Sequence, residues 1–241
     1  MAIYLPELDP ATTQFPVIET ALDEPNGLLA FGGDLRPERL VAAYRQGIFP
    51  WYSEGEPILW WSPAPRAVFL PAQFKPSKSL RKFLRKSGYR VTLNHACPEV
   101  IRLCGDSRGP EQTWITRDMM QAYQQLHHLG FCHSVEVWHQ EQLVGGLYGV
   151  QVGSVFCGES MFSLADNASK IALWLFCEHF TAHGGSLIDC QIMNDHLASL
   201  GAVELKRSPF MQHLHSQRDA ILKKGCYQPQ VLHQATHDQL S

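Results

Sequence analysis

Apolar residues recur at intervals of three and four in several segments of the chain, which predicts amphipathic helices. The first helix begins at Pro37 and stops at Gly47. The second follows Ser77, a favourable N-cap residue, and ends at Gly88. A longer helix follows Thr116. Each of these helices has one face suited to packing on a core.

From residue 131 onward the pattern changes to that of strands. The runs FCHSVEVWH, QLVGGLYGVQ and GSVFCGESM are joined by short polar or glycine turns, so we expect an antiparallel meander. An apolar helix capped by Asn167, a buried strand in SLIDCQ, a short helix in NDHLASLG and a strand in AVEL follow. Residues 131–205 are therefore predicted to follow the order β-β-β-α-β-α-β.

Turn signals divide the chain. Asn-Gly and Gly-Gly pairs occur in EPNGLLAFGGDL, and the prolines of SPAP mark a boundary. We predict an α+β protein with a small N-terminal domain at residues 1–64 and a main domain at residues 65–225. Residues 226–241 are polar, and we expect them to form a mobile tail.

The composition, 45% hydrophobic and 18% charged over 241 residues, is typical of a globular protein with a sizeable core. No apolar run approaches the roughly 20 residues of a membrane-spanning helix. Six acidic residues and no Lys or Arg precede Arg36, which argues against a secretory or mitochondrial leader. We therefore expect a cytoplasmic protein without a membrane partner.

Positive charge is concentrated in one segment, although the whole chain carries a net charge of −3. Residues 57–98 contain eight Lys or Arg and no Asp or Glu. Such a block is typical of a surface that binds a polyanion, and the alternative is an ordinary solvated helix face. Five of these cations surround the apolar stripe of the helix after Ser77: Lys78, Arg81, Lys82, Arg85 and Lys86.

The cysteines and histidines give no sign of a metal centre. Seven cysteines, scattered through apolar segments without a C-x-x-C pair, indicate free thiols in a reducing compartment. The twelve histidines lack the clustered spacing of a structural zinc site, so we expect no bound metal.

Polar residues on the buried strand SLIDCQ are the first candidates for a functional site. Strict alternation places Asp189 and Gln191 on one face and Cys190 on the other. A carboxylate and a carboxamide are costly to bury without partners, which favours a functional role. The alternative is a structural cap for the turn at Asn194. Cys190 is expected to be a small core residue.

Glu159 is the second candidate. Alternation places it beside Met161 on an apolar face, where a carboxylate either pairs with a cation or binds one. A structural salt bridge is the alternative. Ser160 is expected to face away from Glu159, and the chain has no G-x-S-x-G, so a serine hydrolase is disfavoured.

The order of elements in residues 131–205 resembles that of the GNAT acyltransferase fold. Enzymes with that fold bind the acyl-CoA pyrophosphate at a glycine-rich turn before the helix that follows the meander. The corresponding turn here, SMFSLADNAS, contains no glycine, so its backbone amides approach a pyrophosphate less easily. We expect a GNAT-like scaffold that does not use CoA.

Nine motifs make the resemblance more specific. In chain order they are EPNGLLAFGGDL, YRQGIFPWY, ILWWSPAPRAV, TWIT, HSVEVW, LVGGLYGV, FCGESMFS, NASK, and LIDCQ with NDHLASLGA. Together they resemble the leucyl/phenylalanyl-tRNA–protein transferase family, bacterial enzymes that add Leu or Phe to proteins with an N-terminal Arg or Lys. The resemblance extends from Glu24 to Ala202 and implies a small N-terminal domain followed by a GNAT-like catalytic domain.

The resemblance implies how the donor binds. Trp51 and Trp114 match the tryptophans that lie at the terminal adenosine of the tRNA, where stacking a base on an aromatic ring is worth about 1–3 kcal/mol. The alternative for either residue alone is a tryptophan of the hydrophobic core. The basic helix would contact the tRNA backbone, which makes binding sensitive to salt. The residues that match the apolar pocket for the aminoacyl side chain are Phe156, Met161, Phe176 and Ile188.

The resemblance also implies the chemistry and the partners. Glu159, Asp189 and Gln191 match the polar residues of the reaction centre. Our hypothesis is that Asp189 orients or deprotonates the acceptor amine through Gln191, while Glu159 attracts the cationic acceptor. Leu-tRNA and Phe-tRNA are the expected donors, with Met-tRNA as a further candidate. We expect a monomer with no cofactor, whose product is marked for protein degradation.

Three rival functions are left open by the residues alone. A GNAT acetyltransferase requires saturation by acetyl-CoA. A non-catalytic tRNA-binding module binds tRNA without turnover. A cysteine-dependent amidase requires Cys190 as its nucleophile, and the substitution Cys190→Ala would abolish its activity.

Overall fold

The computed structural model describes residues 5–106 and 115–234. The helices in these ranges are α1 (Pro37–Tyr44), α2 (Lys78–Ser87), α3 (Cys97–Asp106), α4 (Arg117–His128), α5 (Ala168–Ala182), α6 (Asp195–Ser199) and α7 (Arg207–Gln217). The strands are β1 (Glu7–Leu8), β2 (Leu28–Gly32), β3 (Phe49–Pro50), β4 (Leu59–Trp61), β5 (Arg66–Phe69), β6 (Tyr89–Leu93), β7 (Cys132–His139), β8 (Gln142–Val152), β9 (Val155–Ser163), β10 (Leu187–Gln191), β11 (Val203–Leu205) and β12 (Gln230–His233). The protein is therefore α+β, as predicted.

In the described part of the chain, the strands form two sheets. The smaller sheet has the order β1-β2-β4-β3 and the larger one has the order β11-β5-β10-β9-β8-β7-β6-β12. Strands β7, β8 and β9 pair antiparallel, whereas β10 runs parallel to β9 and antiparallel to β5. A parallel neighbour requires a crossover connection, and α5 supplies it. The larger sheet therefore places the end of β10 beside the middle of β9.

Hydrophobic clusters cover both faces of the larger sheet. Cys157 and Leu187 join a cluster that contains buried residues of α1, α3 and α4. Their neighbours Phe156 and Ile188 join the other cluster, with residues of α2 and α5. Within the described ranges, no helix is long and apolar enough to cross a membrane.

The predicted order β-β-β-α-β-α-β is confirmed by β7 to β11. The predicted caps of α2 and α4 are also confirmed, because Ser77 Oγ accepts a hydrogen bond from Leu80 N and Thr116 Oγ1 accepts one from Met119 N. Asn167 occupies the N-cap position of α5 but its side chain makes no capping bond. The GNAT-like character of the fold remains a prediction.

The C-terminal segment differs from its prediction as a mobile tail over residues 226–241. Cys226 is buried, and β12 pairs antiparallel with β6 at the edge of the larger sheet. The prediction rested on the polar composition of this segment. An edge strand buries only part of its residues, so a polar composition is compatible with one. Residues 235–241 lie outside the described ranges.

Two bulges change the faces that strict alternation predicts. One lies between the paired residues Tyr148 and Gly149 of β8, opposite Glu159 of β9. Glu159 consequently points toward the cluster of α4, whereas Met161 packs in the cluster of α5. The second bulge separates Asp189 from Gln191 in β10. The expectation that Glu159 shares a face with Met161 is wrong, because an inserted residue shifts the alternation. The register shift after Asp189 interrupts the alternation on which the shared face of Asp189 and Gln191 was predicted, and that shared face stays a prediction.

The division into domains at residue 64 also remains a prediction. The strands before that residue belong to the smaller sheet and those after it to the larger one. Buried residues of both sheets, among them Leu29 and Tyr148, nevertheless share one hydrophobic cluster.

Candidate active site

A cavity of about 800 Å³ opens between β9, β10, α5 and α6. No Lys or Arg is among the described residues that line it. Its mouth contains the exposed side chains of Trp51, Ile192 and Asp195. All four residues predicted for the aminoacyl pocket line this cavity: Phe156, Met161, Phe176 and Ile188. The cavity is therefore apolar on one side and open to solvent on the other.

Glu159 is a buried carboxylate in the cavity wall. Its Oε2 atom accepts a hydrogen bond of 2.8 Å from the Tyr123 hydroxyl, and its Oε1 atom accepts one of 2.8 Å from Gln191 Nε2. Burial raises the pKa of Glu159 to about 7, against hydrogen bonds that lower it. A carboxyl group with this pKa exchanges a proton readily at neutral pH.

Gln191 lies at the end of β10, where the bulge turns the chain. Its φ of 65° lies in the left-handed region, which is uncommon for a residue with a side chain. The backbone N–H of Gln191 donates to Asp189 Oδ1 at 2.9 Å, and the side chain reaches Glu159. The hydrogen bond to Asp189 thus stabilises this strained backbone conformation, in which the carboxamide reaches Glu159.

Asp189 is buried, with 1% of its surface exposed, and it is not among the described residues that line the cavity. The Arg66 guanidinium binds both carboxylate oxygens, with distances of 2.8 Å from Nε and 2.9 Å from Nη2. Arg66 also donates to the carbonyl of Gly47 and lies against the rings of Phe49 and Phe210. The structure therefore brings Glu159 and Gln191 together at the cavity, and Asp189 contacts Gln191 through its backbone N–H.

Two tyrosines that the sequence analysis did not select complete this network. The hydroxyl of Tyr44, on α1, lies 2.5 Å from that of Tyr123, on α4, which donates to Glu159. Burial and the nearby Glu159 raise the pKa of both tyrosines well above the ordinary value. Both residues occupy apolar helix faces, so their spacing alone indicated only core packing.

Trp51 is 40% exposed and lines the mouth of the cavity. Its ring lies 5.4 Å from that of Trp61, whose Nε1 donates to the Trp51 carbonyl. The Trp51 ring therefore packs against Trp61, and part of its surface is exposed to solvent. The other predicted stacking residue, Trp114, lies outside the described residues.

The five cations of α2 are all exposed, and none of them forms an ion pair with a carboxylate in the described ranges. Leu80 and Leu84 anchor α2 in the hydrophobic cluster that also contains Phe156, Phe176 and Ile188 of the cavity. The helix thus lies on the same face of the larger sheet as these three residues, with its charges exposed to solvent. The residues are Lys78, Arg81, Lys82, Arg85 and Lys86.

One group of side chains has ligand types that suit a metal. Potential ligand atoms of His179, His183 and Cys226 lie within 4.8 Å of one another. His179 Nε2 is however bonded to the Cys226 carbonyl at 2.7 Å, and none of the three lines the cavity. The expected absence of a metal stays a prediction.

Cys190 lines the cavity, on the opposite side of β10 from Asp189. Burial raises the pKa of its thiol well above the ordinary value, with Asp189 adding to the shift. A thiol in this state is a poor nucleophile at neutral pH. The geometry therefore gives no support to a cysteine-dependent amidase.

Comparisons with known proteins agree with one another. Residues 68–215 match the family model described as leucyl/phenylalanyl-tRNA protein transferase, and residues 33–64 match the model of its N-terminal domain. A leucyl/phenylalanyl-tRNA–protein transferase of Photobacterium profundum is 75% identical over 96% of this chain and 98% of its own length. The enzyme of the same name from Vibrio vulnificus is 61% identical over the same shares of the two chains.

Similarity to solved structures is weaker. A conserved protein of unknown function from Bacteroides thetaiotaomicron superposes with a TM-score of 0.40 at 14% identity, over 86% of this chain and 71% of that one. A likeness of this size carries no functional argument.

Proposed function

The chain belongs to the leucyl/phenylalanyl-tRNA protein transferase family, and we propose that it moves Leu or Phe from aminoacyl-tRNA to the α-amine of proteins that begin with Arg or Lys. The observation that carries this proposal is the apolar cavity whose wall holds the Glu159–Gln191 pair. The enzyme is an aminoacyltransferase that acts as a cytoplasmic monomer, without a cofactor, and its product is marked for degradation.

The apolar side of the cavity takes the aminoacyl side chain. Phe156 and Phe176, with ring centres 4.5 Å apart, form its aromatic wall. Met161 adds a flexible side chain, which suits a pocket that accepts both a branched and an aromatic residue. Met-tRNA fits the same description. Hydrophobic contact discriminates weakly among such side chains, by about 1–3 kcal/mol per methylene, so the three donors compete.

Two groups of residues outside this pocket bind the tRNA, one at its terminal adenosine and one at its phosphates. Trp51 stacks on the terminal adenosine, because its ring is exposed at the mouth of the cavity. Trp114 is proposed as the second aromatic partner from its motif alone. The cations of α2 neutralise phosphates of the acceptor arm, with release of bound counterions.

The reaction needs no redox or metal chemistry. The acceptor nitrogen attacks the ester carbonyl, a C–N bond forms, and the tetrahedral intermediate expels the ribose oxygen of the tRNA. An N-terminal amine has a pKa near 8, so part of it is already neutral at pH 7. Glu159 takes the proton that the nitrogen loses, and the leaving ribose oxygen receives it. The glutamate returns to its starting state.

Gln191 aligns the amine, and Asp189 acts through Gln191. The Asp189 carboxylate is engaged by Arg66 on both oxygens and accepts the Gln191 N–H, which supports a positioning role. In this proposal Glu159 attracts the α-ammonium group of the acceptor and then serves as the base. Placing the reacting atoms supplies a large share of the rate, since effective molarities of oriented groups are high.

Three substitutions test the reaction centre. Glu159→Gln and Gln191→Ala should each lower the rate of Phe transfer from Phe-tRNA to an Arg peptide by about 10²–10³, the size of a lost oxyanion-hole donor. Asp189→Asn should lower it while donor binding persists. Cys190→Ala, in the same cavity, is the matched control and should retain transfer. Near-wild-type rates in all three variants, each checked for folding, would remove the assignment.

A further inference from the structure

The acceptor presents two cations, an α-ammonium group and a Lys or Arg side chain, and both need a counterpart. Among the described residues lining the cavity, Glu159 and Asp195 are the two carboxylates. Glu159 is buried, and its oxygens already accept hydrogen bonds from Tyr123 and Gln191. The Glu159 carboxylate can accept a further hydrogen bond from the reacting amine, but few acceptor positions are then left for a guanidinium.

Asp195 has the opposite properties. It is exposed at the mouth of the cavity, and within residues 5–106 and 115–234 its carboxylate forms no salt bridge. No Lys or Arg lines the described part of the cavity, so neither residue type competes for Asp195; the neighbouring His196 also lines it. An incoming cation at this position therefore meets a carboxylate that is not already held in a salt bridge.

The structure holds Asp195 in place. Asn194 Oδ1 accepts a hydrogen bond of 2.8 Å from Leu197 N, which fixes the start of α6. The Leu197 side chain is buried in the same cluster as Phe156 and Phe176. The position of Asp195 is thus tied to the walls of the pocket and not to a free loop.

An exposed apolar residue shortly before Asp195 in the chain lines the same cavity. Ile192 is 42% exposed, and the exposed residues between it and Leu197 are polar: Asn194, Asp195 and His196. Lys and Arg side chains combine an aliphatic stem with a charged end, and the stem packs on apolar surface while the charge reaches a polar partner. Ile192 and Asp195 together offer both kinds of contact.

We propose that Ile192 and Asp195 form the subsite that binds the side chain of the acceptor's first residue, with Ile192 against its stem and Asp195 against its charge. This inference rests on the proposed function and adds the residues that select Arg and Lys over uncharged side chains. Glu159 is then reserved for the α-amine.

The test measures steady-state Phe transfer from Phe-tRNA to peptides that begin with Arg, Lys or Ala. Asp195→Asn should raise KM for the Arg and Lys peptides about tenfold, which corresponds to roughly 1.4 kcal/mol, and leave kcat within about twofold. KM for Phe-tRNA should not change. Asp195→Glu, which keeps the charge, should retain most of the affinity, and Ile192→Ser should raise KM for both cationic peptides.

Glu204→Gln is the matched control, because Glu204 is an exposed carboxylate on β11 outside the cavity lining. It should leave every parameter unchanged. Transfer by the wild-type enzyme with an unaltered KM in folded Asp195→Asn, or a change confined to the KM of Phe-tRNA, would overturn the inference. Absence of transfer by the wild-type enzyme would instead overturn the proposed function.

Discussion

Glu159 is the residue whose surroundings most constrain the chemistry. Burial alone would hold it protonated, but the hydroxyl of Tyr123 and the carboxamide of Gln191 offset part of that cost. The result is a pKa of about 7, far above that of an exposed glutamate. A base with this pKa is half ionised at neutral pH, where the acceptor amine is still largely protonated.

The pH dependence of transfer tests this role of Glu159. Below pH 7 both Glu159 and the acceptor amine must lose a proton, so log kcat/KM should rise with a slope of about 2. In Glu159→Gln one of these ionisations is gone and the slope should fall to about 1. The measurement is kcat/KM between pH 5.5 and about 8. Identical slopes for the two enzymes would exclude Glu159 as the titrating base.

The Arg66–Asp189 pair makes a separate prediction about stability. Breaking a buried ion pair by removing one partner typically costs about 3–5 kcal/mol, so Arg66→Met should lower the free energy of unfolding by that amount. The double substitution Arg66→Met with Asp189→Leu should recover most of it in urea unfolding, since no charge is left unpaired.

Transfer by that double variant separates positioning from stability. The Gln191 N–H loses its acceptor when Asp189 is replaced, so transfer should stay low although the protein is stable again. A stable double variant with wild-type transfer would show that Asp189 has no positioning role.

Substitutions of Trp51 test how the donor tRNA binds. Trp51→Ala should weaken the binding of aminoacyl-tRNA by about 1–3 kcal/mol, the usual value of one stacked base, while Trp51→Phe should lose less. Because the Trp51 ring also packs against Trp61, Trp51→Ala should lower the free energy of unfolding as well, and Trp51→Phe should lower it less. KM for Phe-tRNA, measured beside urea unfolding, checks both points. An unchanged KM in Trp51→Ala would contradict the stacking role.

At the scale of elements, α2 is the helix whose predicted features agree most fully with the structure. Its N-cap, its glycine terminus, its two buried leucines and its five exposed cations all follow the predicted pattern. A regular helix with strong caps is set by local interactions, which a single sequence contains.

A salt titration tests whether α2 contacts phosphates. Each phosphate contact contributes about 0.7–0.9 to the slope of log Kd against log salt concentration. Lys82→Gln should therefore reduce the slope for tRNA binding by about that amount. Lys224→Gln, at an exposed position outside α2, serves as its control. Equal slopes for the two variants would place the tRNA elsewhere.

The sequence alone did not predict which face of the sheet the side chains of β9 and β10 occupy. Alternation predicts a face only while the register is unbroken, and the bulges at Glu159 and after Asp189 break it. Whether a bulge forms depends on how two strands pair, so the sequence of one strand alone does not predict it. The sequence thus indicated three polar residues that the structure brings into one hydrogen-bonded group, but it did not indicate the bulges between them.

At the scale of the whole molecule, the candidate site depends on distant parts of the chain. Tyr44 reaches the network from α1, Tyr123 from α4, and Arg66 joins β5 to the Gly47 carbonyl. The tyrosines and Arg66 lay outside the predicted site because their roles arise only from tertiary contact. All four residues that the family resemblance implied for the apolar pocket line the cavity, and their role in binding the aminoacyl side chain stays a prediction.

The central claim is that the cavity passes an aminoacyl group from tRNA to a cationic N-terminus. The most direct measurement follows labelled Phe from Phe-tRNA into peptides that differ only in beginning with Arg or Ala, with acetyl-CoA tested as an alternative donor. Transfer confined to Phe-tRNA and the Arg peptide, and lost in Gln191→Ala, is the predicted result. Acetylation from acetyl-CoA, or tRNA binding without any transfer, would contradict the account.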